Sequence, residues 1–374
     1  MGYTQWTESE KQLLTVIGSS PDSSMKQLLT QVNYKWESTL VKKLDQFRKQ
    51  AILWGPVYDV NYSKLCKNPL HKSFCIFELS NRWETVLPYL VSIESYAWIF
   101  PVLSPHREFF IMGFYSSDDH KMEALFQLLK DNNIITDYMI RTYTSKRVIE
   151  NPNLHGNPTP SMDHVLECCA VPDMSLPHHD TNWNECDISI IPYLSRSDTG
   201  GKLIEILKKE RKLDRTWTYS QLHYSCKKMV EKGLIEKKYF VLPFHIDQCT
   251  YFFLSVKTHD VSVTQRILCN FARGERVYKE YLLCGERGLL FCISHTSFLT
   301  ELMHELDQIE EVTEKELYLL RSNWRSCPIS SPPDLTHYDT ETQTLEYPYH
   351  IYEEEIKKNL EKGIPADWNL EEHL

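Results

Sequence analysis

Two stretches of this chain carry the same helical stripe at the same distance from a turn, and that repetition limits the fold more than any other feature. In 187–234 an apolar segment (Ile188, Ile190, Ile191, Leu194) runs into a turn at Asp198-Thr199-Gly200-Gly201. A short amphipathic helix comes next, with Leu203, Ile204, Ile206 and Leu207 on one face; a second turn, Asp214-Arg215, opens a long helix from about Thr218. Leu222, Cys226 and Met229 stand at the spacing of one helical face, and Gly233 suits a left-handed C-terminal cap. Two short strands, at 235–242 and beyond, are expected to form a wing. Three helices and a wing make a winged helix-turn-helix, whose third helix is shaped for a DNA groove. The N-terminus repeats the plan. Leu13, Leu14, Val16 and Ile17 form a stripe, and Ser23 or Ser24 caps a helix burying Met25, Leu28, Leu29 and Val32. A third helix at 36–49 carries Leu40, Leu44 and Phe47, and 52–62 supplies its wing. Leu40 then matches Leu222, Leu44 matches Cys226, Phe47 matches Met229 and Ala51 matches Gly233, so the chain reads as duplicated.

The segments beyond each of these stretches repeat as well. Residues 72–80 alternate as a strand, and 83–93 is helical through Val86, Leu87, Leu90 and Val91. Strands at 96–103 and 108–115 are joined at Ser104-Pro105-His106; a helix at 121–130 and a strand at 134–143 complete the set. In the second half the strands are 250–256, 276–284, 289–294 and 314–321, with helices at 263–271 and 298–309. Both halves have the order β-α-β-β-α-β, the split ferredoxin-like unit. The expected fold class is α+β, as two tandem copies of winged helix-turn-helix plus ferredoxin-like domain. The boundaries are 1–65 and 70–150 for the first copy, 151–182 for a connector, 183–246 and 248–326 for the second copy, and 327–374 for an acidic tail with a short helix near 351–360. That helix is expected to stop at Gly363 and Pro365, and 327–333 reads as a linker.

At 374 residues the chain is long enough for several cores. The 11 cysteines include no C-x-x-C pair and sit among apolar residues, which fits free thiols in a reduced, cytoplasmic protein. No basic-then-apolar leader opens the sequence. The most apolar region, 86–102, is interrupted by Pro88, Glu94 and Pro101, so no membrane association is expected. The net charge of −10 speaks against nucleic acid only until it is located. Residues 328–374 hold three Lys against eleven Asp and Glu, a balance of −8, and the body is left near neutral.

Groove binding needs cations for phosphates and polar side chains for base edges. The first copy offers Lys35, Trp36, Ser38, Thr39, Lys42, Lys43, Arg48 and Lys49. The second offers Arg215, Trp217, Tyr219, Ser220, His223, Lys227, Lys228 and Lys232. A charge run is ordinarily a solvated helix face, and both tryptophans could equally pack against their own domain. Here the runs fall on the third helix of both copies, which favours duplex DNA. In the connector, His164, Glu167, Cys168, Cys169, His178, His179, Asp180 and Cys186 crowd together. Adjacent Cys-Cys and His-His pairs lack ordinary ligand spacing, so no metal is assigned. No phosphate-binding, zinc-protease or nucleophile-elbow motif occurs. No catalytic residue and no cofactor are expected.

A winged helix followed by β-α-β-β-α-β resembles the Lrp/AsnC family of bacterial and archaeal regulators. The best local matches are Asp187-x-x-Ile190-Ile191-x-x-Leu194 and the end of the third helix, CKKMVEKGLI at 226–235. The first copy departs from the pattern, with Ala51 where the glycine is expected. The resemblance implies a transcription regulator without catalytic activity. It also implies ferredoxin-like domains that pair across a dimer and take a small effector, here near 104–106 and 285–288. Two copies in one chain would supply what two subunits normally do, and a homodimer of the chain is a further expectation. A second reading is an enzyme: the sirohaem decarboxylases, similar to this family, use the same plan as a pair of subunits. A third is a protein-interaction module that has lost DNA binding.

Overall fold

The computed structural model describes residues 6–195, 202–321, 329–330 and 334–364. The expected turn at 198–201, most of the linker at 327–333 and the stop at Pro365 lie outside the described residues. In chain order the elements begin with α1 (Glu8–Ser19), α2 (Met25–Gln31), α3 (Glu37–Lys49), β1 (Leu53–Val60) and α4 (Tyr62–Leu65). Next come β2 (His71–Leu79), α5 (Trp83–Val91), β3 (Tyr96–Pro101), β4 (Phe109–Ser116), α6 (Asp119–Asp131), β5 (Ile135–Thr142) and β6 (Val148–Glu150). The second half holds α7 (Glu185–Leu194), α8 (Leu203–Lys212), α9 (Tyr219–Glu231), β7 (Ile235–Val241), β8 (Cys249–Thr258), α10 (Val261–Asn270), β9 (Tyr278–Cys284), β10 (Arg287–His295), α11 (Thr296–Asp307) and β11 (Val312–Leu319). The tail adds β12 (Ile329–Ser330), β13 (Tyr338–Asp339), β14 (Thr344–Leu345) and α12 (Tyr349–Lys362).

The chain is a mixed α+β protein built on antiparallel sheets. One five-stranded sheet has the order β12-β3-β4-β2-β5, the other β11-β8-β10-β9-β6. Local chemistry sets the helix starts. Thr7 and Glu10 close a capping box on α1, Ser24 and Gln27 on α2, Asn184 and Asp187 on α7, and Thr218 and Gln221 on α9. The stripe on α3 is buried as spaced, through Leu40, Leu44 and Phe47. On α9 the buried residues are Leu222, Ser225 and Met229, and Cys226 is only half-buried. Ser225 turns inward because its hydroxyl donates to the buried carboxylate of Asp187.

The wings depart from expectation. β1 and β7 are single strands, and they pair with each other as a two-stranded sheet. Leu242 N donates to Ile52 O at 2.9 Å near one end, and Asn61 N to Leu234 O at 2.8 Å near the other. Neither strand has a hairpin of its own, so each satisfies its backbone on the other.

Two compact units result, and neither is continuous in sequence. One comprises Met1–Tyr58, Thr144–Ser175 and Lys237–Leu319; the other comprises Asp59–Tyr143, Leu176–Glu236 and Leu320–Leu374. In the first, α10 and α11 bury Ile267, Leu268, Phe298 and Leu302, and Phe271 just after α10, against Phe252, Leu254 and Leu290 of the sheet. The segment 144–175 adds Met162, Val165 and Met174 to that core and Leu154 to the core under α1–α3. In the second, Phe126 of α6 meets Phe77 and Phe114 with ring centroids 4.9 and 5.1 Å apart. Trp98 crosses Gly113, where a Cβ would sit 2.6 Å from the indole, so only glycine fits. The tail belongs to this unit: the Tyr349 hydroxyl accepts from Ser117 N at 2.9 Å and Asp118 N at 3.1 Å, at the start of α6.

Gly233 has φ +67° and Ala51 has φ +53°, so the chain turns left-handed shortly after α9 and α3. A Cβ costs about 1 kcal/mol or more in that region. Ala51→Gly is therefore expected to raise the unfolding free energy by about 1 kcal/mol; a denaturation midpoint unchanged or lowered would contradict it.

Candidate functional site

In the first unit an arginine and a histidine meet on aromatic walls. Arg276 sits in the loop between α10 and β9, a loop tied down by the connector. Asn153 donates from its backbone to Glu275 O at 3.1 Å and from Nδ2 to Gly274 O at 2.7 Å; Arg276 N donates to Asn157 O at 3.1 Å. Gly156 lets the two segments close, since a Cβ there would lie 2.5 Å from Gly274 O. Arg276 is 7% exposed, and its guanidinium carbon lies 4.7 Å from the Trp6 ring centroid and 4.5 Å from that of Phe244. Its Nε donates to Pro243 O at 2.6 Å. A guanidinium between two aromatic faces away from water is a fixed positive charge.

His295 ends β10 and caps α11. Its Nδ1 accepts from Ser297 N at 3.2 Å and lies 2.8 Å from Ser297 Oγ. A backbone N–H can only donate, so Nδ1 is the acceptor and the ring proton of the neutral form belongs to Nε2. The ring meets Phe244 edge to face at 5.3 Å. Partial burial, then the charge of Arg276, hold its pKa below the ordinary histidine value, so the neutral ring prevails at pH 7. Cys249 is buried beside Phe244, donates to its carbonyl oxygen at 3.6 Å, and has its thiol pushed up to about 12 by burial. The group thus combines a fixed cation, a neutral imidazole with a defined N–H, and flat apolar walls.

Neither Arg276 nor His295 stands out in the sequence. Arg276 is one basic residue in a turn-rich loop, and His295 reads as an ordinary helix start. The only local sign is a charged residue between two apolar runs.

The residues expected to face DNA separate into two groups. Lys35, Trp36, Ser38, Thr39, Lys42, Arg48 and Lys49 are exposed on and before α3, with Trp36 at 70%. Tyr219, Ser220, His223, Lys227 and Lys232 are exposed on and after α9, and Tyr219 stacks on His223 with centroids 6.4 Å apart. Four others are anchored inward. Lys43 meets Glu10 at 2.6 Å. Arg215 and Trp217 Nε1 meet the buried Glu210 at 3.0 and 3.1 Å. Lys228 meets the buried Asp187 at 2.6 Å and lies 4.9 Å from the Trp183 ring centroid. The buried carboxylates Glu210 and Asp187 need such partners, and that need directs Arg215, Trp217 and Lys228; Glu10, the partner of Lys43, is half-buried. In the connector, His164 pairs with Glu167 at 2.6 Å, and among the described residues no three His, Cys, Asp or Glu side chains converge as a metal site.

No protein-family model matches the sequence, and no curated protein matches it. Solved structures do. The sirohaem decarboxylase NirDL matches with a TM-score of 0.53 and 12% identity, covering 95% of this chain and 100% of that one. Its complex with an iron-uroporphyrin III analogue matches at 0.51 and 12%, covering 96% and 100%. AsnC of E. coli is 16% identical over 38% of this chain and 95% of its own, and its TM-score of 0.29 carries no argument. At such identities the likeness shows the fold. It also corrects the expectation of a chain with no catalytic role, because two structures that match from end to end are those of an enzyme. Among the described residues no helix is long and apolar enough to cross a membrane.

Proposed function

We propose that this chain is a tetrapyrrole-handling enzyme of the sirohaem-decarboxylase kind. The observation that carries the reading is the extent of the likeness: NirDL is covered completely, with and without its iron-uroporphyrin III analogue. In a decarboxylation a substrate carboxylate leaves as carbon dioxide and a proton takes its place on carbon. The fixed charge of Arg276 suits the carboxylate, because a desolvated guanidinium binds it far better than one in water. His295, with its N–H on Nε2, suits the proton transfer. The same reading takes the chain as two copies of winged helix plus β-α-β-β-α-β, in place of two subunits. The matched left-handed residues Ala51 and Gly233 support it, as do the runs β3-β4-β2-β5 and β9-β10-β8-β11, which share one connectivity.

Purified protein mixed with sirohaem or iron uroporphyrin III is expected to co-elute with a Soret band and to release carbon dioxide. Arg276→Ala should weaken binding at least tenfold. His295→Asn, which keeps a side chain able to cap α11, should leave binding in place and slow turnover by about 100-fold. Folded wild type that yields no Soret band with either compound would overturn the reading. A second reading, duplex DNA, is favoured by the solvent-facing starts of α3 and α9 at Trp36, Ser38, Thr39, Tyr219, Ser220 and His223. It requires binding that weakens as salt is raised.

A further inference from the structure

Outside that cluster, the first unit brings two cysteines together that are far apart in sequence. Cys269 is the penultimate residue of α10 and is 6% exposed. Its side chain lies close enough to that of Cys169, in the connector, for the two thiols to influence each other. The backbone around the pair is held on both sides. Asn270 Nδ2 donates to Val165 O at 3.2 Å and Glu167 O at 2.7 Å, and Arg266 to Leu166 O at 3.4 Å. On the other side, the buried Lys279 donates to the carbonyl oxygens of Cys269 and Phe271 at 2.6 and 2.9 Å and pairs with Glu150 at 3.3 Å. Cys169 is half-buried and Cys168 beside it is exposed, so a small oxidant in solvent can reach this end of the pair.

We infer that Cys169 and Cys269 form a reversible disulfide that staples the connector to the end of α10. The oxidant is a low-molecular-weight disulfide such as oxidised glutathione. Cys169, as thiolate, attacks one glutathione sulfur; that S–S bond breaks, and one glutathione leaves and takes up the proton. Cys269 then loses its proton, attacks the Cys169 sulfur of the mixed disulfide, and expels the second glutathione as thiol. Two thiols become one disulfide, and one disulfide becomes two thiols. The pair is predisposed because Asn270 and Arg266 already hold the connector against the end of α10, which limits how far the two cysteines can part. The inference is independent of the enzymatic reading.

The test uses the full chain, incubated natively with oxidised glutathione, alkylated, and mapped as peptides without reduction. A cross-linked peptide pair containing Cys169 and Cys269 is expected, lacking two hydrogens and lost on treatment with dithiothreitol. Cys168→Ser should retain the link, and Cys269→Ser should leave Cys169 as a glutathione mixed disulfide. Because the link closes a loop on the order of 100 residues, oxidised wild type should melt roughly 5 °C above reduced wild type. That comparison needs no variant, so it holds even if Cys269→Ser folds poorly. Glutathione on Cys168 alone, or a Cys168–Cys169 link, would overturn the proposal.

Discussion

Lys228→Ala is expected to lower the unfolding free energy by about 3 kcal/mol, and Lys227→Ala, one residue earlier on the same helix, to change it by less than about 0.5 kcal/mol. The two lysines are alike in sequence and opposite in setting. Lys227 is exposed and reaches Glu231 at 3.6 Å, an i,i+4 surface pair of little worth. Lys228 meets Asp187 at 2.6 Å and donates to Asn182 O at 2.9 Å, and the Asp187 side chain is fully buried. Removing the lysine leaves Asp187 with only the Ser225 hydroxyl and the Asn184 amide N–H. A buried carboxylate stripped of its cation is among the costliest single lesions a core can carry. Lys228→Met combined with Asp187→Asn should recover part of the loss, because the uncompensated charge is then gone. Urea titrations of the four proteins check this, and equal losses for Lys227→Ala and Lys228→Ala would refute it. The comparison also bears on DNA: Lys228 is committed to its own fold, so a salt-dependent contact on α9 has to come from Lys227 and Lys232.

The mixed α+β class was legible because period and turn chemistry act locally. Leu40, Leu44 and Phe47 specify a helix wherever they are placed, and the tail helix near 351–360 is found at Tyr349–Lys362. Pairing was not legible, since nothing within β1 or β7 says which strand it will join. An expected wing strand therefore found its partner nearly two hundred residues away. The inward turn of Lys43, Arg215, Trp217 and Lys228 was hidden for a related reason. Each is directed by a carboxylate, the half-buried Glu10 or the buried Glu210 and Asp187, whose setting depends on tertiary packing. Arg276 and His295 were invisible because their chemistry lies in their juxtaposition. One is in a loop, the other at a strand end, and Trp6 comes from the far end of the chain. The end-to-end likeness to an enzyme had no counterpart in any motif, since 12% identity leaves no signature to read.

A single backbone cut in the connector, made through a protease site introduced between Val171 and Asp173, is expected to leave the two fragments in one complex. Each compact unit draws on both sides of such a cut. The first needs α1–α3 and the 144–170 segment from the N-terminal fragment, and β8–β11 with α10 and α11 from the C-terminal one. Met162 and Val165 pack in the core of that sheet, and β6 is its edge strand, paired with β9. The second unit combines β2–β5 of the N-terminal fragment with α7–α9 and α12 of the C-terminal one. Tyr349 of α12 holds the amides of Ser117 and Asp118 across that division. Parting the fragments therefore exposes apolar surface in both units at once, at roughly 25 cal/mol per Å². What the cut does remove is the covalent link. Folding becomes an association, so the thermal midpoint, independent of concentration in the intact chain, should rise with concentration in the nicked one. Gel filtration should show one species of the intact size, resolved into two only in denaturant. Fragments that separate natively, each folded by circular dichroism, would mean that the chain is two independent halves in tandem, and the interleaved division into units would be wrong.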